Sequence, residues 1–381
     1  MKVTLVRGTR ANDVPVHKMA RALSKAGHEV LVLEWDREGR LSKVEETGGY
    51  LCHRFRLKAP YAKISVLFYL PFWQLYQSCF LLGHKTDVVH ACDFDTLIPA
   101  LIARLLRRVK LCYTIFDFYS DFPGSIPSFV RRLVAGIERS ALRYVDCLFM
   151  VNEAMYEQVE GAKIRRVVYI YNCPEDHPVK TGVSLHPRTA LPLRIFYAGW
   201  LTSLRGLRYM VDAVRNLDDI TLEIAGTGPE EEIKRIKDEE LIARGKLQYS
   251  GWIPYEKVIE KESEADILFY FSNPESLNGR YASPNSLFQA MMCGKPIIVS
   301  DGSWMADTVR KENCGLVVPF GDVAAITGAI LKLKNDRDLR QSLGQNGRRA
   351  YENRYSWQIM ERRLLDIYQH ICDKGQIEAI P

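Results

Sequence analysis

The sequence predicts an α/β protein built from two doubly wound domains, each a parallel sheet with helices on both faces. Three observations carry this prediction. Short β-branched apolar runs alternate with helical patterns along the chain, the pattern occurs twice, and a proline-rich break separates the two series. A chain of 381 residues is also too long for one ordinary core.

The first series of strands reads "KVTLV", "EVLVLEW", "DVVHA", "KLCYTIFD", "CLFMV" and "VVYIYN". After the first of these, "VHKMARALSKAG" puts Met19, Leu23 and Ala26 on one helical face and stops at Gly27. The break, residues 172–192, holds four prolines and no apolar periodicity, as a linker does. The second series is "LRIFYAG", "TLEIAG", "LQYSG", "ILFYF", "PIIVS" and "GLVV". A final amphipathic helix begins near Ser356, a good N-cap. The expected layout is therefore a domain over 1–171, a linker over 172–192, a domain over 193–355, and a helix over 356–381 packing back across the junction.

Composition narrows the function. The apolar share of 47% and charged share of 26% are those of a soluble globular protein, and no run of about 18 apolar residues suggests a membrane-spanning helix. "MKVTLVRG" enters a strand directly, without the pattern of a signal peptide. Nine scattered cysteines without a CxxC pair read as reduced thiols in a cytoplasmic protein. His90, Cys92 and Asp93 are the nearest approach to a metal set, and their position at a strand end explains them without one. No metal is expected.

Charge is unevenly placed. Residues 1–190 carry 27 Lys+Arg against 19 Asp+Glu, and residues 191–381 carry 25 against 27. The basic half shows no nucleic-acid motif, so an anionic membrane surface or a phosphorylated acceptor is the expected partner. The apolar stretch at 64–82, preceded by Arg54, Arg56, Lys58 and Lys63, reads as a buried helix or as an in-plane membrane contact at the inner face of the membrane.

In doubly wound domains ligands bind beyond the carboxyl ends of the strands. Four loops of the second series follow strands: "YAGWLTSLRG", "IAGTGPEEEI", "SGWIPYEKV" and "SPNSLFQAM". Together they describe a nucleoside diphosphate pocket with Arg205 as its cation. Their order resembles the retaining nucleotide-sugar glycosyltransferases of the GT-B fold, group 1 or family 4. In these a G-R-L-x-x-x-K-G loop, a G-x-G-P turn, a G-x-V-P loop and an E-x7-E-A-M-A-C-G-x-P-V segment follow in this order. "ALSKAGHEVLVLEWDR", "DVVHACDFDT" and "YIYNCPE" extend the resemblance through the first half.

The resemblance implies two Rossmann-like domains facing across a cleft, and a nucleoside diphosphate sugar as co-substrate with no other cofactor. It implies that Arg205 binds the donor diphosphate, with Ser283, Pro284 and the backbone of Asn285, Ser286 and Leu287 seating the phosphates at a helix N-terminus. Gln289 and Tyr281 take the positions of the two glutamates, at the ribose and the sugar, and Glu275 stands near as another sugar contact. Gly228, Glu230, Trp252 and Ile253 would border the nucleotide, and Gly8 would allow close approach of phosphate or acceptor. Phe116 replaces the family's histidine, with Asp117 beside it as the group that orients or deprotonates the acceptor hydroxyl. Asp93 and Asp95 are further acceptor contacts.

Trp200 stands where the family has a second phosphate-binding arginine. The expected activity is hexosyl transfer in polysaccharide or glycolipid synthesis, to a lipid-linked or phosphorylated acceptor. A weak or inactive partner subunit, and a sugar-nucleotide epimerase on the same fold, are the competing readings.

Overall fold

The computed structural model describes residues 1–9, 11–61, 64–118, 127–176 and 192–371. It divides into two units, residues 1–171 with 360–381, and residues 172–359.

The first unit runs β1 (Lys2–Arg7), α1 (Val14–Lys25), β2 (Glu29–Trp35), β3 (Val44–Thr47), β4 (Tyr50–Phe55), α2 (Leu70–Gly83), β5 (Val88–Cys92), α3 (Phe94–Arg107), β6 (Lys110–Ile115), α4 (Ser128–Ala141), β7 (Cys147–Met150) and β8 (Val167–Tyr169). Its eight strands lie in the order β3-β4-β2-β1-β5-β6-β7-β8, all parallel except the β3–β4 hairpin. The hairpin departs from the sequence reading. "VEET" is polar and exposed, so it carries no apolar run, and it pairs because Gly48 and Gly49 turn the chain at positive φ.

The second unit runs β9 (Leu193–Trp200), α5 (Leu207–Val214), β10 (Ile220–Thr227), α6 (Glu230–Ile236), α7 (Glu239–Ala243), β11 (Leu247–Gly251), α8 (Tyr255–Glu264), β12 (Ile267–Tyr270), α9 (Leu277–Tyr281), α10 (Asn285–Met292), β13 (Ile297–Ser300), α11 (Trp304–Glu312), β14 (Gly315–Val318), α12 (Val323–Asn335) and α13 (Arg337–Ala350). Its six strands are all parallel, in the order β11-β10-β9-β12-β13-β14. The winding direction reverses between β1 and β5 in one sheet and between β9 and β12 in the other, so each unit has one switch point where strand ends splay apart.

Helix α14 (Trp357–His370) returns the chain to the first unit at Met360. There the Tyr368 hydroxyl lies 2.7 Å from Nδ1 of His90, whose Nε2 is 2.6 Å from Thr114 Oγ1. His90 is a satisfied core histidine, not a base, and burial lowers its pKa from 6.5 to about 3. Because the unfolded chain binds a proton on this ring below 6.5 and the folded one only below about 3, stability rises with pH across that window and is flat above it. We expect His90→Asn to flatten this slope, and Tyr368→Phe to cost about 1–3 kcal/mol by leaving a buried ring nitrogen without its partner. Urea denaturation between these pH values checks both.

Candidate active site

In the second unit the strand-end loops meet at the switch point. Arg205 closes a 3-10 turn after β9, and its Nη1 donates to Ser272 Oγ at 3.1 Å, just beyond β12. The guanidinium lies over the Tyr270 ring, 4.5 Å from its centroid. The Asn273 amide donates to the Leu204 carbonyl at 2.9 Å, and Ser300 Oγ accepts from the Ser272 amide at 2.7 Å. Two loops are thus stitched together and the cation is held in place before any ligand arrives. Gly206 follows at φ 53, where an added Cβ would meet Tyr209 and Phe320 ring carbons at 2.8 and 2.9 Å. Only glycine fits there.

Helix α10 starts at Pro284, which has no side chain to cap it. The Leu287 amide donates to the Pro284 carbonyl and the Leu287 side chain is in the core, so Leu287 is corrected from the expected phosphate contacts. The first amides of the helix, Asn285 and Ser286, point out of its N-terminus with the positive end of the dipole. Beside them the Ser283 hydroxyl oxygen is buried with no hydrogen-bond partner.

Other expected contacts fall elsewhere. Gln289 is buried and hydrogen-bonded to Tyr255 of α8, because an inward amide must find a partner in the core. An added Cβ at Gly228 would lie 2.1 Å from the Leu201 carbonyl oxygen, so this glycine is required by backbone packing rather than by a ligand. Glu230 is solvated in a pair with Lys234. Glu275 is exposed on the loop after β12, its amide bonded to Asn273 Oδ1, and Tyr281 lies half-buried under Arg280, with 5.5 Å between guanidinium and ring. Trp200 and Trp252, at the carboxyl ends of β9 and β11, are 61% and 71% exposed and offer stacking surfaces there; Ile253 beside Trp252 is half-buried.

The first unit has a buried polar centre at its own switch point, which sequence reasoning missed. Arg7, the last residue of β1, is held between Asp13 Oδ2 at 2.5 Å and Asp93, with its guanidinium 4.7 Å from the Phe116 ring centroid. Burial opposes the charge of Arg7, and Asp93 and Asp13 outweigh it and keep the group charged. The other oxygen of Asp93 accepts from the amides of Phe116 at 2.8 Å and Asp117 at 3.4 Å. Asp93 adopts φ 67, an unusual conformation for a residue with a side chain, and this network holds it there.

Asp93 and Asp95 are therefore corrected from acceptor contacts: both are buried, and Asp93 anchors the loop after β6 instead. Gly8 is corrected too. Its missing Cβ would sit 1.8 Å from Asp95 Oδ2 and 2.4 Å from Trp73 Nε1, so protein packing alone requires a glycine here. Phe116 is half-buried beneath Arg7, and Asp117 alone of the expected acceptor residues is exposed at the strand ends.

Next to this centre lies a pocket of about 480 Å³ lined by Arg37, Arg40, Lys58 and Tyr69 and by one acid, Glu38, which is 3.6 Å from Arg40. A second, of about 500 Å³, shares Gly39 and Lys58 with it and adds Lys43, Arg56 and Tyr76. Arg37 ties the region to the switch point by donating to the Gly8 carbonyl at 3.0 Å. Arg54, expected at a membrane surface, is instead buried in ion pairs with Glu34 and Glu45, each at 2.6 Å, and Lys63 lies outside the described residues.

Among the described residues one set, His17, Glu34 and Cys52, has metal-ligand spacing. Both His17 nitrogens are engaged by Tyr50 and Glu34, Arg54 holds Glu34, and burial pushes the Cys52 thiol up to about 12. The donor set suits a hydrogen-bond network better than a cation. The strand-end set of His90, Cys92 and Asp93 is likewise committed, to Tyr368, the core and Arg7.

A protein of two doubly wound α/β units, with an arginine fixed at one switch point and a buried ion pair at the other, is a class with a known home. Residues 190–350 match the family described as glycosyl transferases group 1, and residues 14–173 match the glycosyl transferase 4-like domain. The chain belongs to the group 1 (family 4) glycosyltransferases of the GT-B fold.

It is similar to the lipopolysaccharide core biosynthesis glycosyltransferase LpsD of Rhizobium meliloti, 27% identical over 177 residues, 46% of this chain and 48% of that protein. It matches the capsular polysaccharide biosynthesis glycosyltransferase CapM of Staphylococcus aureus at 37% over 92 residues, 24% of each chain. The matched stretches thus span about half and about a quarter of those relatives. Among solved structures, sucrose-phosphate synthase of Thermosynechococcus elongatus shares the fold at TM-score 0.79 and 17% identity, covering 98% of this chain and 100% of that one. HepE of Anabaena, in complex with UDP, does so at 0.71 and 13%, covering 97% and 100%.

The Arg7–Asp93 pair is buried and the Asp117 side chain is exposed. Asp93→Asn, which keeps the side chain's shape but removes the charge, is expected to cost about 3 kcal/mol or more. Asp117→Asn is expected to stay within about 0.5 kcal/mol of the parent. Equal losses in denaturation would contradict this division.

Proposed function

We propose that the protein transfers a sugar from a nucleoside diphosphate sugar to an acceptor hydroxyl with retention of configuration, in polysaccharide or glycolipid synthesis. The observation that carries the reading is Arg205, fixed at the switch point by Ser272 and Tyr270. In this reading the departing diphosphate gathers negative charge as the anomeric C–O bond breaks. Arg205 and the Asn285 and Ser286 amides at the start of α10 stabilise that charge without reorganising. Ser283 supplies a hydroxyl to the same group, and Trp200 or Trp252 stacks on the base.

On the acceptor side, Asp117 orients the attacking hydroxyl, and the Arg37, Arg40 and Lys58 pocket holds an anionic group of the acceptor, such as a phosphate. UDP is the first nucleotide to test, since the HepE structure contains it. The LpsD and CapM relatives motivate the polysaccharide or glycolipid setting.

The second reading, a catalytically weak partner subunit, draws on the exposed Trp200 in place of a phosphate-binding arginine and on Gln289 buried against Tyr255. Calorimetry with UDP, GDP and ADP separates the alternatives at the first step. Arg205→Ala is expected to weaken the bound nucleotide at least about tenfold, the worth of one charge-assisted hydrogen bond. No binding of any of the three at millimolar concentration would remove the donor-site assignment. Binding without turnover of any donor sugar would favour the partner subunit.

A further inference from the structure

We propose that Arg280 is a second cation for the donor diphosphate and replaces the arginine that position 200 lacks; the inference rests on the reading of the second unit as the donor site. A nucleoside diphosphate carries two phosphoryl groups and several negative charges, which grow as the sugar departs. Trp200, at the carboxyl end of β9, is 61% exposed and brings no charge to it. Arg205, the Ser283 hydroxyl and two amides are a small complement for such a group.

The observation that starts the argument is the way α9 folds. Its five residues, Leu277–Tyr281, belong to the connection from β12 to α10, and Gly279 is the buried one among them. A Cβ added at Gly279 would lie 2.1 Å from the Asn273 carbonyl oxygen and 3.0 Å from Ser272 Oγ. Ser272 Oγ is the atom that receives Arg205, and the Asn273 amide is the donor that joins the β9 loop at Leu204. Glycine at 279 thus lets α9 fold back onto the two residues that fix Arg205.

Arg280 is the next residue along. On its other side Ala282 and Pro284 are extended, at ψ 138 and 141, and the chain enters α10 at Asn285. Arg280 therefore belongs to the short segment that joins the Arg205 pair to the start of α10. Its side chain is exposed, and its guanidinium carbon lies 5.5 Å from the Tyr281 ring centroid. Arg205 rests on Tyr270 in the same manner, at 4.5 Å. An aromatic face steadies a guanidinium and leaves its N–H groups free to meet an anion.

The position of the family's first glutamate falls at Tyr281, so Arg280 stands just outside the matched motif. A cation supplied from α9 frees position 200 for a tryptophan. The missing arginine there then does not count against turnover.

The test uses the full chain and calorimetry with UDP, GDP and ADP and with the three matching monophosphates. Arg280→Gln is expected to weaken the diphosphate that binds the parent at least about tenfold, and its monophosphate no more than about twofold. Arg280→Lys should recover part of the loss, because it keeps the charge without the planar fork. Adding Trp200→Arg to Arg280→Gln should recover it as well, by returning a cation to the family's position. Melting temperatures are expected to stay with the parent, since positions 200 and 280 are exposed. If Arg205→Ala weakens the diphosphate and Arg280→Gln does not, the proposal is overturned and the donor site stands. A parent that binds none of the three diphosphates removes both. Equal losses for diphosphate and monophosphate, or a loss accompanied by a lower melting temperature, would assign Arg280 to the shape of the loop and would also overturn the proposal.

Discussion

The parallel sheet is the constraint on which the rest depends. When every strand but one hairpin runs the same way, every strand-to-helix loop emerges at one end, and every following helix turns its N-terminal amides toward that end. At the switch point two neighbouring loops diverge and leave room. In the second unit this room brings Arg205 from the β9 loop beside Ser272 from the β12 loop. In the first it brings Arg7 at the end of β1 beside Asp93 beyond β5. The same topology yields two different outcomes. One pair holds a cation at the surface, and the other buries an ion pair that fixes a loop.

That difference divides labour among the acidic residues of the first unit. Asp93 is surrounded by donors and stays in the core, where its loss would strand Arg7. Its second oxygen gathers the amides of Phe116 and Asp117, so the position of the exposed Asp117 is set from below. Asp95 fills the space left by Gly8. Three aspartates that look alike in the sequence thus act as anchor, filler and surface group.

The fold was legible because apolar periodicity is a local signal, and both sheets are built from continuous β-branched runs. The β3–β4 hairpin was not, since "VEET" is polar on an edge and is recruited by its partner. The strand-end loops of the second unit were legible through glycines after strands, and Arg205 follows β9 in one of them. Burial was the weak point. Whether Gly228 admits a ligand or the Leu201 carbonyl, and whether Gln289 faces a ribose or Tyr255, depends on which element packs opposite, and local sequence does not encode that. Arg7 escaped for the same reason. An arginine ending an apolar strand reads as a solvated end until Asp13 and Asp93 are seen around it.

The central claim is that the start of α10 and Arg205 form one preorganised phosphate site. Backbone and arginine resonances of isotopically labelled protein, followed during titration with UDP, test it most directly. The account predicts that the Asn285 and Ser286 amides and the Arg205 guanidinium shift together along one binding curve, while Gln289 and the Arg7 guanidinium stay still. Saturable binding that moves none of the three, or that moves Gln289 in their place, would contradict it.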